Sequence, residues 1–309
     1  MKAIYILLTS VLLVFGTNSC TKVQSMEAVA LDEAWRQKIW DLAPSEAQAV
    51  PTKRHKVLLF SLFTGYNHWV IPHADFVVQT LADKTGAFET VKSDDIRMFE
   101  KEALVQFDAI VLNNNCSIGP RRDLFYDALG SDSLLNEAER SQKASELEKN
   151  LLNFVRNGGG LAVIHGGIVM QNNSAEVSEM VGGSFDYHPP QQKIELKIVD
   201  DQHPLTLAFG GQSFSHVDEP YIFKNAYHKK RFRPLLYMEA RKIEKLRTEI
   251  DEEKAYVSWI KRYGDGRVFY CSPSHNAQSY ENSHLLRFYL NGLQYVLGDL
   301  ECDDTPIEP

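Results

Sequence analysis

Gly158-Gly159-Gly160-Leu161-Ala162-Val163-Ile164-His165-Gly166-Gly167 is a continuous apolar run closed by glycines on both sides, the pattern of a strand buried on both faces of a parallel sheet. It delivers a histidine at its C-terminal end. In open α/β sheets ligands settle beyond the carboxyl ends of the strands, and glycines there let the backbone turn sharply and approach a ligand. His165 is therefore the first candidate functional residue.

Outward from this run the chain keeps alternating. Val57 to Phe63 and Phe107 to Asn113 read as further buried strands, Ala74 to Ala82 as a helix, and Glu137 to Arg156 as a long helix that stops at Asn157-Gly158. Strands interleaved with helices imply right-handed crossovers and a sheet covered on both faces. The fold class expected is a three-layer α/β sandwich with a mostly parallel, flavodoxin-like sheet. Beyond it the pattern changes: Lys193 to Val199, Leu235 to Glu239, Tyr256 to Arg262 and Arg267 to Cys271 are strand-like, the last two joined by a hairpin turn around Gly264-Asp265. Antiparallel strands should extend the sheet. The charged run Arg241 to Lys254 reads as a solvated excursion, and a final helix from about Glu281 to Leu297 closes a domain spanning residues 55–298. The acidic tail, 299–309, is expected to fray.

The N-terminus carries one charge, Lys2, then an apolar segment from Ile4 to Phe15 and small polar residues before Cys20. This predicts a cleavable signal over residues 1–19 and acylation of Cys20, with residues 20–54 as tether and lead-in, including a weakly helical patch from Leu31 to Leu42. Ordinary secretion with Cys20 unmodified is the alternative. The expected location is the periplasmic side of an outer membrane, with the lipid as the one membrane contact. Removing the signal moves the formal charge from −8 to −9, which argues against a nucleic-acid partner. The remaining Cys116, Cys271 and Cys302 show no CxxC spacing, so neither a disulfide framework nor a zinc ribbon is indicated. No segment specifies an oligomeric state.

Three histidines stand just past strand ends: His68 in Thr64-Gly65-Tyr66-Asn67-His68, His165, and His275 in Ser272-Pro273-Ser274-His275. The exit of the Phe107 strand carries Asn113-Asn114-Asn115-Cys116, and Asp218-Glu219 lies between His216 and Tyr221. Histidine with carboxylate suits general acid/base work, since burial and neighbours tune both toward neutral pH. The same types can bind a divalent metal such as zinc, although no HExxH spacing is present and the acid/base reading requires no cofactor. His188-Pro189-Pro190 reads as a rigid loop, and His55, His73, His216, His228 and His284 as surface or helix-face residues. A dinucleotide fingerprint, a phosphate-binding GxxxxGK[ST] loop and a GxSxG elbow are all missing.

Taken in order, GYNH at 65–68, GGGLAVIHGG at 158–167, GGSFDYH at 182–188, HPLT at 203–206, DEPY at 218–221, YGDGRVFY at 263–270 and SH at 274–275 resemble the ThuA-like, or trehalose utilization, family. The resemblance implies a class I glutamine amidotransferase-like fold. In those amidotransferases the strand matching Leu161 to Ile164 ends in a nucleophilic cysteine, and here His165 holds that place, so glutamine hydrolysis through a thioester has no nucleophile. The resemblance further implies carbohydrate catabolism, with trehalose-type disaccharides or their keto derivatives as substrates.

On this reading His165, His68, Glu219 and His275 are the catalytic candidates. Gly65, Tyr66, Asn67, Trp69, Asn115, Gly166, Gly167, His188, Asp218 and Tyr221 are the substrate-binding candidates. The enzyme would be a hydrolase, lyase or isomerase. Two alternatives stay open: a non-catalytic sugar-binding lipoprotein, and a zinc-dependent hydrolase.

Overall fold

The computed structural model describes residues 26–307, so the expected signal and Cys20 lie outside the described residues. Eleven strands fall in chain order: β1 His55–Phe60, β2 Phe88–Ser93, β3 Ala109–Asn113, β4 Gly160–Ile164, β5 Ser184–Tyr187, β6 Gln192–Ile198, β7 Phe214–Asp218, β8 Ile222–Lys224, β9 Arg233–Glu239, β10 Lys254–Tyr263 and β11 Gly266–Cys271. Nine of them form one sheet in the order β2-β1-β3-β4-β11-β10-β9-β6-β7, and β5 pairs with β8 in a small second sheet. From β2 to β11 neighbouring strands are parallel, and from β11 to β7 they are antiparallel. This is the expected α/β architecture, a parallel core extended by antiparallel strands.

The central strands read as unbroken apolar runs because each face of the sheet has its own core. Val57, Leu59, Ala109, Val111, Ala162, Ile164 and Phe269 point to the face covered by α1 (Glu33–Leu42), α2 (Ile71–Thr85) and the last helix, Ser283–Val296. Leu58, Phe60, Ile110, Leu112, Leu161, Val163 and Val268 point to the face under the helix Glu137–Arg156. That helix starts on a capping box between Asn136 and Glu139, as its sequence boundary suggests. The β10–β11 hairpin turns through Gly264-Asp265, with Gly264 at φ 61°, a conformation glycine adopts without steric cost.

Both ends of the described chain are tied down more firmly than expected. Within the described part of the lead-in, Trp35 and Ile39 of α1 are buried, and Trp35 meets the His73 ring of α2 edge-on at 4.7 Å. Gln48 and Ala49 donate their backbone N–H to Gln294 Oε1. The acidic tail is likewise pinned, not frayed, by Arg233–Asp303 and Arg262–Asp304 ion pairs. His55, expected at the surface, is buried on β1 between Asp108 and Asp299. The His55, Gln294, Arg233 and Arg262 contacts lie at the N-terminal edge of the parallel strands, opposite the edge that carries the histidines.

Candidate active site

Parallel strands exit on one edge of a sheet, so the loops after β1, β3, β4 and β11 meet there. His165 follows β4 directly with a left-handed backbone, φ 44°, a conformation non-glycine residues adopt at a cost and that clusters at functional sites. Its Nδ1 lies 2.7 Å from the Ser272 carbonyl oxygen. A carbonyl only accepts, so Nδ1 carries the proton and Nε2 presents a lone pair. That Nε2 is 3.3 Å from His275 Nδ1 and 3.6 Å from Glu219 Oε2, while His275 Nδ1 is 3.2 Å from the same Glu219 oxygen. The His68 ring stands edge-on to both, with centroids 5.3 Å from His165 and 5.2 Å from His275. One ligand atom from each of His68, His165, Glu219 and His275 lies within 4.8 Å of the other three. The three strand-end histidines and Glu219 therefore form one cluster.

The cluster is nearly closed to solvent. The three histidines are at most 2 % exposed, and the Glu219 side chain is 10 % exposed. Burial and the neighbouring imidazoles His165, His275 and His188 push His68 down to about 2. Burial and the His165 charge bring His275 down to about 4, against the pull of Glu219 and Asp218. Burial alone would raise the Glu219 carboxyl, but the surrounding imidazoles of His165, His275 and His188 outweigh it and hold it below the usual range. At neutral pH this leaves neutral His68 and His275 facing an anionic carboxylate. Nitrogen lone pairs around one negative charge make a donor set that suits a divalent cation.

Of the expected substrate-binding residues, several surround the cluster. Tyr66 is 61 % exposed and covers it, edge-on to His68 at 4.7 Å and nearly parallel to His275 at 6.5 Å. Asn67 beside it is exposed. Tyr221 is buried with its ring 4.1 Å from that of His165, and burial raises its phenol so that it stays protonated. His188 is exposed, stacks on Tyr221, and places Nε2 3.7 Å from Glu219 Oε1. Gly166 is needed for close approach: a β-carbon there would lie 2.9 Å from His68 Cε1 and 3.0 Å from Cys116 Sγ. Gly65 and Gly167 abut backbone in the same way, at Ser117 and Leu112.

A family model described as ThuA, trehalose utilisation, matches residues 56–296. The chain belongs to the ThuA family. No curated protein matches it significantly. Among solved structures, it is similar to a ThuA-like protein of Bacteroides uniformis at 16 % identity, with a TM-score of 0.59 over 80 % of this chain and 94 % of that one. A ThuA-like protein of Parabacteroides merdae gives 16 % identity and 0.54 over 83 % and 96 %. A cytoplasmic protein of Salmonella typhimurium gives 14 % identity and 0.51 over 78 % and 98 %. At these identities the likeness establishes the ThuA fold.

Three expected binding residues serve other ends. Asp218 is buried and points away from the crevice: its carboxylate accepts the backbone N–H of Glu219 at 2.8 Å, of Ser274 at 2.7 Å and of His275 at 3.1 Å. It anchors two members of the cluster instead of a sugar, and it holds Ser274 at φ 101°. Asn115 is fully buried and donates to the Phe60 and Leu62 carbonyls, stitching β3 to β1. Trp69 packs edge-on against His73 at 5.3 Å and joins the apolar cluster beneath α2.

Sequence reasoning passed over three others. Asn114 Oδ1 accepts the Gly166 N–H at 3.2 Å, a role its place in an asparagine triplet does not single out. The Ser272 carbonyl fixes the His165 tautomer, and backbone carbonyls leave no trace in sequence. His216, expected at the surface, is largely buried with Nδ1 2.8 Å from Ser279 Oγ and 3.4 Å from Asp218. Cys116 contacts His68 Nδ1 at 3.7 Å, and burial pushes its thiol up to about 12, so it is a neutral wall and not a nucleophile.

Proposed function

We propose that this protein is an exported, lipid-tethered enzyme of carbohydrate catabolism that acts on trehalose-type disaccharides or their keto derivatives. Its centre, made by His68, His165, His275 and Glu219, is read as holding a divalent cation. The observation that carries this reading is the convergence of four ligand atoms within 4.8 Å in a nearly closed site, in a chain of the trehalose utilisation family. Buried charge without a partner is costly, and among the described residues the ion-pair partners within reach of Glu219 are the imidazoles of His165, His188 and His275. The residues fit the group, since imidazole nitrogen and carboxylate oxygen are the usual zinc donors.

A bound cation of this kind would polarise a sugar carbonyl or hydroxyl, or acidify a water molecule. The protein supplies the rest. Ser272 keeps the His165 lone pair directed at the centre, and Asp218 keeps Glu219 and His275 in register with it. Tyr66, the exposed aromatic over the cluster, offers a face on which a sugar ring can stack. His188, the imidazole with solvent access beside Glu219, is placed to exchange protons with water. Acid/base assistance from such groups contributes about 10² to 10⁴ in rate. That suits proton removal next to a carbonyl better than cleavage of an unactivated glycosidic bond, which favours the keto sugars.

The tether rests on the Lys2, Ile4 to Phe15 and Cys20 pattern. Among the described residues no helix is long and apolar enough to cross a membrane. The protein without residues 1–19 should be assayed against disaccharides and their 3-keto forms, with and without added divalent metal. Turnover of the keto forms that depends on metal supports the reading. Binding without turnover would make the protein a sugar-binding lipoprotein, and metal-independent turnover would return the cluster to acid/base chemistry alone.

A further inference from the structure

We infer that Asp75, on α2 and away from the cluster, is a positioning residue for His165, acting through a one-way chain of side-chain amides. The inference rests on the reading of His165 as a member of the working centre. Asp75, Asn113 and Asn114 are each at most 2 % exposed. Asp75 Oδ1 accepts from Asn113 Nδ2 at 2.7 Å, Asn113 Oδ1 accepts from Asn114 Nδ2 at 2.9 Å, and Asn114 Oδ1 accepts from the Gly166 backbone N–H at 3.2 Å.

The direction of this chain is fixed at both ends. An ionised carboxylate can only accept, so Asn113 must turn its amino group toward Asp75, and toward the Ile71 carbonyl 3.0 Å away. Its oxygen then faces Asn114, which must present its own amino group and send its oxygen to Gly166. The Gly166 N–H can only donate, so the far end demands the same order. Lys92 on the edge strand β2 balances the Asp75 charge at 2.6 Å, and Ser61 Oγ adds a donor. The chain ends on the residue that follows His165, at a turn where Asn114 (φ 55°) and His165 (φ 44°) both hold left-handed backbones. A hydrogen bond to Gly166 from a rigid, fully buried acceptor keeps that turn from relaxing and so aims the His165 ring.

Asp75→Asn keeps the volume but replaces a carboxylate that, beside Lys92, only accepts with an amide that can also donate, so the chain loses its anchor on α2 and is ordered by the Ile71 carbonyl and the Gly166 N–H alone. The test uses metal-free protein with 15N-labelled histidine, in which the His165 Nδ1–H signal is identified by its loss in His165→Gln. In Asp75→Asn the His165 signal should shift while those of His55 and His203 stay in place. The affinity for Co2+ should fall about 10- to 100-fold, the usual effect of disturbing groups that orient metal ligands. An unmoved His165 signal would overturn the inference, whatever happens to the melting temperature. Should Asp75→Asn fail to fold, Asn114→Asp, which keeps the acceptor for Gly166 and loses the donor to Asn113, carries the same readouts. If the wild-type protein takes up no Co2+, the cation reading fails by itself, and the histidine signal still decides the role of Asp75.

Discussion

His165 Nε2 and His275 Nδ1 face each other nitrogen to nitrogen at 3.3 Å. Because the other nitrogen of His165 is committed to Ser272, His275 must supply the hydrogen between them in the metal-free protein. The same hydrogen can serve the Glu219 oxygen 3.2 Å away. A single proton thus holds the centre together where a cation would otherwise sit, and the two imidazoles are not equivalent.

Replacing either partner should therefore separate function from folding. His165→Gln and His275→Gln are each expected to lower kcat by at least about 100-fold, the scale of a lost acid/base or ligand group. Far-ultraviolet circular dichroism should stay unchanged. Steady-state rates on the keto sugars measure the effect, and a variant with full activity would remove that residue from the centre.

Gly166→Ala should disturb the cluster without touching a titratable group. The new methyl group would meet His68 Cε1, Cys116 Sγ and Asn114 Oδ1 at 2.9, 3.0 and 3.1 Å, so at least one of these buried side chains must shift. Overpacking of this kind costs about 1 to 3 kcal/mol. Thermal denaturation and Co2+ titration of the variant should both move. Unchanged cation affinity would show that His68 stands apart from the site.

Much of this arrangement was legible in sequence because β1, β3, β4 and β11 are buried on both faces and so read as plain apolar runs. Their exits bring His68, His165 and His275 to one edge of the sheet. The edge strands were harder: β2 (FETVKS) and β7 (FSHVD) carry exposed polar residues, and their pairing comes from neighbours distant in sequence. Asp218 and Glu219 are adjacent in an extended segment, where successive side chains point to opposite sides. Only one of them could reach the centre, and composition does not say which. Trp69 was misplaced for a related reason, since an aromatic residue beside a functional histidine reads alike whether it faces the crevice or a helix. The pinned tail was missed because Asp303 and Asp304 owe their order to Arg233 and Arg262, a long way back along the chain.

Acid should destabilise the metal-free protein well before ordinary carboxylates titrate. His68 and His275 are held below the usual histidine range when folded and return to it on unfolding, so between about pH 6.5 and pH 4 the unfolded chain binds more protons. Stability falls as pH falls through that window, by about 1.4 kcal/mol per pH unit for each proton taken up. Urea denaturation with chelator at pH 7 and pH 5 measures it. Equal stability at the two values would mean that these histidines are already charged in the fold.

Asp218→Ala should be the more damaging change at the DEPY segment for folding, and Glu219→Gln for function. Removing the Asp218 carboxylate leaves the Glu219, Ser274 and His275 N–H groups without their acceptor, a cost of about 3 to 5 kcal/mol. Glu219→Gln keeps shape and removes charge, so stability should hold while cation affinity and kcat drop. Urea denaturation and Co2+ titration of the two variants side by side give the comparison.

The most direct test is to strip the protein with chelator and return zinc in fractions of an equivalent while following turnover of a 3-keto disaccharide. The account predicts no turnover without metal, a linear rise that saturates at one zinc per chain, and no rise in His165→Gln. Full turnover in the stripped protein, or saturation unaffected by His165→Gln, would contradict it.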